Sequence, residues 1–229
     1  MIVRCVDVET TGLNPETSGV IEIGWTDLAL PDRIISDPQS YLCGTSYPIT
    51  PENRAVHHIS PYQIAGLPEF DADAFNAQCV EDGVTCLAAH NANFDAQFVR
   101  PTLPIICTHK AALRAWPDLT SHSNSAVFYA LEDQGRCKGA NYAHILSHRA
   151  GPDSYVTAWI LRCLLEDGHS GRDMVEWTRQ PAQLPRCPVG KHRGKPWAEV
   201  DAGWLRWCVG NADIGEDVRH CARAELEKR

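Results

Sequence analysis

Apolar residues fill most of the first six positions, Met1-Ile2-Val3-Arg4-Cys5-Val6, and give way at Asp7-Val8-Glu9-Thr10-Thr11-Gly12. That pattern predicts a buried opening strand running into a polar turn. Residues 19–28 alternate apolar and polar positions, and Ile34 to Cys43 again reads as extended. The chain therefore opens as three strands joined by turns, for which antiparallel pairing is the economical arrangement. Pro48 to Ile59 predicts a helical turn or two, with Thr50 as cap and Pro51 at the first helical position. Asp71 to Glu81 has the period of an amphipathic helix. Thr85-Cys86-Leu87-Ala88-Ala89 reads as a short buried strand ending at His90-Asn91-Ala92-Asn93, with a helix from about Phe94 to Arg100. Ile105-Ile106-Cys107 is a further strand leading into a helix from Thr108 to Trp116, and helices follow at Ser123–Glu132 and Asp153–Glu166. Strands followed by strand–helix alternation imply an α/β fold, a mixed central sheet flanked by helices.

From about Gly168 the texture changes. Arg179 to Pro188 is rich in proline and polar residues and reads as a connection. Beyond it, Gly190-Lys191-His192-Arg193-Gly194-Lys195 forms a tight basic turn, followed by helices around Trp204–Val209 and Glu216–Glu227. The expected division is a main domain over 1–168, a linker over 169–189 and a small C-terminal segment over 190–229.

With 229 residues, 44% hydrophobic and 22% charged, the composition is that of a globular chain with one substantial core. No apolar run approaches the roughly 18 to 20 residues that span a bilayer, and the N-terminus lacks the pattern of a secretory leader. A cytoplasmic protein with no membrane partner is expected. Ten cysteines are scattered singly with no Cys-x-x-Cys pair, which points to reduced, buried thiols. Cys187 and His192 lack the paired spacing of a zinc site. The net charge of −8 argues against a broad basic surface that coats duplex DNA. It leaves room for a nuclease whose acids gather at the centre and whose lysines and arginines line the strand path.

Asp7 and Glu9 are two apart on a strand and point to the same face. Unneutralised carboxylates that close repel and raise one another's pKa, so the pair calls for a cation, and oxygen donors suit Mg²⁺ or Mn²⁺. Asp95 follows a buried strand, at the end where open α/β sheets gather their ligands. His148 stands five residues before Asp153, which opens an apolar helix. Singly, each acid has a plain structural reading as a turn residue or helix cap. Together, four carboxylates and one histidine are the set required by two-metal phosphodiester hydrolysis, with the imidazole as base. Gly151 and Pro152 are expected to form a loop that lets the imidazole reach the attacking water while Asp153 stays anchored.

Asp7-Val8-Glu9-Thr10-Thr11-Gly12, His90-Asn91-Ala92-Asn93-Phe94-Asp95 and His148 with Asp153 resemble the three exonuclease motifs of the DEDDh branch of the DnaQ-like 3′–5′ exonucleases, which share an RNase H-like fold. Ala55-Val56-His57-His58-Ile59 resembles the segment in which that family carries a histidine before its second motif. Cys107-Thr108-His109-Lys110, Arg114-Ala115-Trp116-Pro117, Ser123-Asn124 and the tail from Gly190 to Trp207 are similar to the bacterial exonuclease X group within it, so the resemblance spans nearly the whole chain.

The resemblance implies two divalent ions, Mg²⁺ or Mn²⁺, the first held by Asp7, Glu9 and Asp153, with Asp7 bridging to the second. Asp95 then acts largely through coordinated water and His148 as general base. The expected reaction releases nucleoside 5′-monophosphates from DNA 3′ ends. On the substrate side, the Thr10 backbone N–H faces the terminal 3′-hydroxyl and His57 the terminal nucleotide. Leu13 and Phe94 flank the terminal base, Lys110 touches substrate, and Lys191, Arg193 and Lys195 meet the phosphate backbone. Trp204 and Trp207 are expected to be packing residues.

A haloacid-dehalogenase-type phosphatase needs aspartate where Glu9 stands. RNA trimming by the same fold is an alternative substrate choice. A non-catalytic module that binds nucleic-acid ends is the alternative of another class, set against the presence of all five catalytic positions. A homodimer, or a polymerase or repair partner, stays open.

Overall fold

The computed structural model describes residues 1–145 and 148–229. Its centre is β1 (Ile2–Thr10), a strand buried on both faces for most of its length. Alternation along β1 sorts its side chains: Val3 and Cys5 enter one core, while Val6 and Val8 enter another on the opposite face. Antiparallel to it runs β2 (Val20–Ala29). The third expected strand is split into β3 (Ile34–Ile35) and β4 (Gln39–Leu42), both pairing antiparallel with β2. Asp37-Pro38 lies in the gap, and proline has no N–H to continue a ladder. On the other side of β1 lie β5 (Val84–Ala89) and β6 (Ile105–Cys107), both parallel, giving the order β3-β2-β1-β5-β6. The expected mixed sheet is therefore present.

Short helices α1 (Pro51–His57) and α2 (Pro61–Ile64) precede α3 (Ala72–Glu81). Thr50 caps α1 as expected, in a reciprocal box with Asn53, and Pro51 opens the helix. Phe75 and Cys79 of α3, with Phe98 and Val99 of α4 (Ala92–Val99), cover the Val6 face of the sheet. The Val3 face is covered by α5 (Thr108–Ala115), α6 (Asn124–Asp133) and the long α7 (Ala150–Glu166). Twelve of α7's residues are buried, among them Tyr155, Trp159, Ile160 and Leu164, which makes it the backbone of this core. It begins three residues earlier than the sequence pattern suggested, so Gly151 and Pro152 lie in its first turn, where proline's missing N–H has no intrahelical partner to lose. The loop expected between His148 and Asp153 is replaced by this turn.

Within the stretch read as connecting chain, residues 171–179 form α8 (Gly171–Arg179), whose Met174 joins the α7 core. The tail holds α9 (Ala202–Gly210) and α10 (Glu216–Glu227) around a separate apolar cluster that includes Cys187, Trp197, Leu205, Cys208 and Ala222. All ten cysteines are free thiols and only Cys86 is not fully buried. Among the described residues, no helix is long and apolar enough to cross a membrane.

Beneath Trp25, Arg4 is buried with its guanidinium bonded to Asp27 through Nε at 2.8 Å and Nη2 at 2.9 Å, and to Asp82 at 3.0 Å. The group ties β1 to β2 and to the end of α3. Arg4→Ala is expected to lower unfolding free energy by about 2 kcal/mol in urea titrations, since both acids keep part of their hydration.

Candidate active site

Asp7 and Glu9 reach the carboxyl end of β1 on the face covered by α7. Directly across on β2 stand Gly24 opposite Asp7 and Glu22 opposite Glu9. A Cβ on Gly24 would come within 2.2 Å of the Ala150 carbonyl carbon and the Gly151 nitrogen, so only glycine lets the first turn of α7 lie flat on the strand. That close approach carries Asp153 to the β1 acids. One carboxylate oxygen each from Asp7, Glu9 and Asp153 lie within 4.8 Å of one another. Asp95 arrives from α4. Asn91, at φ 71°, turns the chain from β5 into that helix, a left-handed conformation that asparagine tolerates better than most residues.

The four acids share one electrostatic problem. Burial, followed by the charges of Asp95, Asp153, Glu9 and Glu22, pushes the Asp7 carboxyl well above the usual carboxylate range. Glu9 is pushed up to about 8 by burial and then by Asp153 and Glu22, with Arg149 pulling in the opposite sense. Burial raises Asp95 to about 7 against backbone N–H groups of its own residue and of Val8. Asp153 is likewise raised by burial, against the N–H groups of His148 and Arg149. Hard oxygen donors converging in a half-buried site, each disfavoured as a free anion, fit a divalent cation of the Mg²⁺ or Mn²⁺ kind.

His148 stands at the rim. Its side chain is exposed, its backbone has φ 62°, and its N–H donates to Asp153 Oδ2 at 2.8 Å. The third motif is thus closed on itself by a main-chain bond.

A family model for exonucleases, RNase_T, matches residues 5–158, which contain all of these positions. Exodeoxyribonuclease 10 of Escherichia coli (strain K12) is 32% identical over 239 residues, covering 99% of both chains. The chain belongs to this exonuclease family, which is DnaQ-like. The solved structure "Exonuclease X in complex with 5′ overhanging duplex DNA" superposes with a TM-score of 0.63 at 29% identity, over 77% of this chain and 99% of that one. DNA polymerase III subunit epsilon of Treponema pallidum (strain Nichols) is 27% identical over 178 residues, 63% of this chain and 76% of that protein.

Around the acids, this exonuclease distributes the remaining predicted site residues unevenly. Thr10 follows Glu9, its hydroxyl donating to the Gly12 carbonyl at 2.7 Å, and Leu13 stands out at 81% exposure in the turn beyond. Phe94, one residue before Asp95, is half-buried against Phe98 at 5.3 Å between ring centres. His57 is buried rather than facing solvent. Its Nδ1 accepts from the Ile59 N–H at 2.9 Å, its Nε2 has no partner among the described residues, and the charges of Glu22 and Arg149 act on it.

Lys110 departs from expectation. It is buried and its Nζ donates to the carbonyls of Thr178 at 2.8 Å and Gln180 at 2.6 Å, so it pins α5 to the end of α8. Arg114 joins the same joint through Gln180 Oε1 at 2.9 Å. The cation that the sequence suggested for substrate satisfies helix-end carbonyls instead.

Lys191, Arg193 and Lys195 are all exposed, with Lys191 lying 5.7 Å from the Trp204 ring centre. Trp204 packs into the tail's core, whereas Trp207, stacked on it at 4.5 Å, is 46% exposed and so only partly a packing residue. Sequence reasoning missed Glu22 and Arg149. The available signal was a carboxylate set between Ile21 and Ile23 in a strand that is buried on both faces in this half, rather than alternating with solvent.

Proposed function

We propose that this protein is a DEDDh-type 3′–5′ exodeoxyribonuclease using Mg²⁺ or Mn²⁺, acting in the cytoplasm on DNA 3′ ends. The observation that carries the reading is the convergence of Asp7, Glu9 and Asp153 oxygens within 4.8 Å, in a chain of this family. Asp7, Glu9 and Asp153 would hold the divalent metal, with Asp95 as the further carboxylate of the site. When bound, the ions supply Lewis-acid stabilisation of the charge that develops around the phosphate. His148 removes the proton of the attacking water; its exposed position at the rim lets the proton pass on to solvent.

Thr10 offers its backbone N–H to the 3′-hydroxyl. Leu13 and Phe94 hold the terminal base between apolar faces, a mode indifferent to base identity. The unpartnered Nε2 of buried His57 supplies a donor for the terminal nucleotide, since a buried polar atom without a protein partner is one that a ligand can satisfy.

Lys191, Arg193 and Lys195 extend the strand path onto the tail, residues 190–229, which we take as a separate substrate-contacting segment. No acidic residue interrupts the stretch from Cys187 to Ala198. Replacing all three cations by alanine is expected to raise KM several-fold, leave kcat unchanged and flatten the dependence of log(kcat/KM) on log salt by about 2, near 0.7 per single-strand phosphate contact. A steady-state series in rising KCl checks it.

The reading is tested by chromatography of products from matched single-stranded DNA, duplex DNA and RNA. Nucleoside 5′-monophosphates from DNA, faster than from RNA, support it. Equal or faster release from RNA would reassign the substrate to RNA ends, and no release from any substrate would leave an end-binding module.

A further inference from the structure

Glu22 is a buried acid that the proposed reaction leaves unused. At 1% exposure, it sends its carboxylate to the start of α7. Arg149 donates to both of its oxygens, Nε to Oε2 and Nη2 to Oε1, each at 2.8 Å. The Ala150 N–H donates to Oε2 at 3.2 Å and Ser40 Oγ to Oε1 at 3.1 Å. A two-pronged arginine–carboxylate pair fixes the guanidinium in direction as well as distance. Arg149 is the N-cap of α7 but supplies no side-chain cap bond. Glu22 therefore takes that place from a neighbouring strand, satisfying one of the unpaired donors of the helix end and opposing its positive dipole.

His148 directly precedes this clamp. Its left-handed backbone is unfavourable for a residue with a Cβ and persists only where its surroundings hold it. Holding comes from two sides: the His148 N–H is bound by Asp153 Oδ2, and the next residue is bound by Glu22. Burying an ion pair gives little net stability by itself, so stability alone is a weak reason for a carboxylate at this place in the sheet.

We infer that the Glu22–Arg149 pair is a positioning device for His148, fixing the backbone from which the imidazole reaches the attacking water. Both residues act through His148 and neither touches substrate. The inference rests on the exonuclease reading with His148 as base.

Its test is a mutant cycle on the full chain with single-stranded DNA, reading kcat, KM and Mn²⁺ affinity by calorimetry. Arg149→Ala is expected to lower kcat about 10- to 100-fold, the scale of a misplacement near 1 Å, with KM unchanged and any change in Mn²⁺ affinity far smaller than the loss of kcat, since Arg149 acts on the Glu9 carboxylate only as a neighbouring charge. Arg149→Lys keeps the charge without the fork and falls between the two. In a His148→Ala background, Arg149→Ala causes no further loss, because a group that acts through another is not additive with it.

A folded Arg149→Ala with wild-type kcat, losses that multiply with those of His148→Ala, or a matching loss of Mn²⁺ affinity would each overturn the inference. If Arg149→Ala fails to fold, the same cycle run with Arg149→Lys decides it by the same criteria. A wild-type protein that shortens no DNA would instead remove the exonuclease reading on which the inference stands.

Discussion

Asp7→Asn is expected to lower the rate of 3′-terminal DNA hydrolysis by about 10⁴-fold or more, while making the metal-free protein harder to unfold. Burial raises the Asp7 pKa most, and the charges of Asp95, Asp153, Glu9 and Glu22 raise it further. An amide of the same size keeps the shape of the site and removes the charge on which ion binding depends. Without metal, that charge is a liability, because it repels the other acids gathered in a half-buried place. Relief of about 1 kcal/mol corresponds to about 2–4 °C in a chain of this length. Activity assays and thermal melts in EDTA at pH 8 check the two halves together. Loss of activity with a lowered Tm would mean that the carboxylate is structural.

The second large effect is on stability against pH. Glu9 at about 8 and Asp95 at about 7, with Asp7 and Asp153 also raised, keep protons that the unfolded chain has already released near pH 4. The folded state thus binds more protons than the unfolded state between about pH 4 and 8, and unfolding free energy falls with rising pH across that window. Metal-free protein should melt at progressively lower temperature from pH 5 to pH 8. Saturating Mn²⁺ binds the folded form alone, so it should raise Tm, and by more at pH 8 than at pH 5, where protons compete for the same oxygens. Melts at several pH values, with EDTA and with Mn²⁺, check this. A metal-free Tm that is flat or rising over this range would contradict the electrostatic account of the site.

Much of this arrangement was legible in the chain. The β1 and β5 strands announce themselves as apolar runs that end in polar turns, and Asp7, Glu9, Asp95 and Asp153 stand just beyond such runs or open a helix. Local pattern suffices there because the side chain and the element that carries it are neighbours in sequence. Elsewhere the determining partner is distant. The start of α7 at Ala150 depends on Glu22 on β2 and on the room above Gly24, more than a hundred residues earlier, so Gly151-Pro152 read locally as a loop.

Lys110 looked like a surface cation on a helix. Its burial depends on the Thr178 and Gln180 carbonyls at the end of α8, an element that the polar texture of that stretch concealed. His57 reads as a contact for the terminal nucleotide, with a solvent-facing helix end as the lesser reading, and nothing local in the chain shows its burial. The third strand reads as continuous from Ile34 to Cys43, whereas it is split at Pro38, whose missing N–H interrupts the ladder.

If the carboxylates gathered at the end of β1 hold divalent ions and direct hydrolysis from a DNA 3′ end, cleavage must depend on both the metal and Asp7. The decisive experiment is gel analysis of 5′-labelled single-stranded DNA incubated with the protein and Mg²⁺, with EDTA, and with Asp7→Asn. The expected result is a ladder shortening one nucleotide at a time from the 3′ end in Mg²⁺ alone, abolished by EDTA and by the substitution. Shortening that persists in EDTA or in Asp7→Asn, or immediate release of label from the 5′ end, would contradict it.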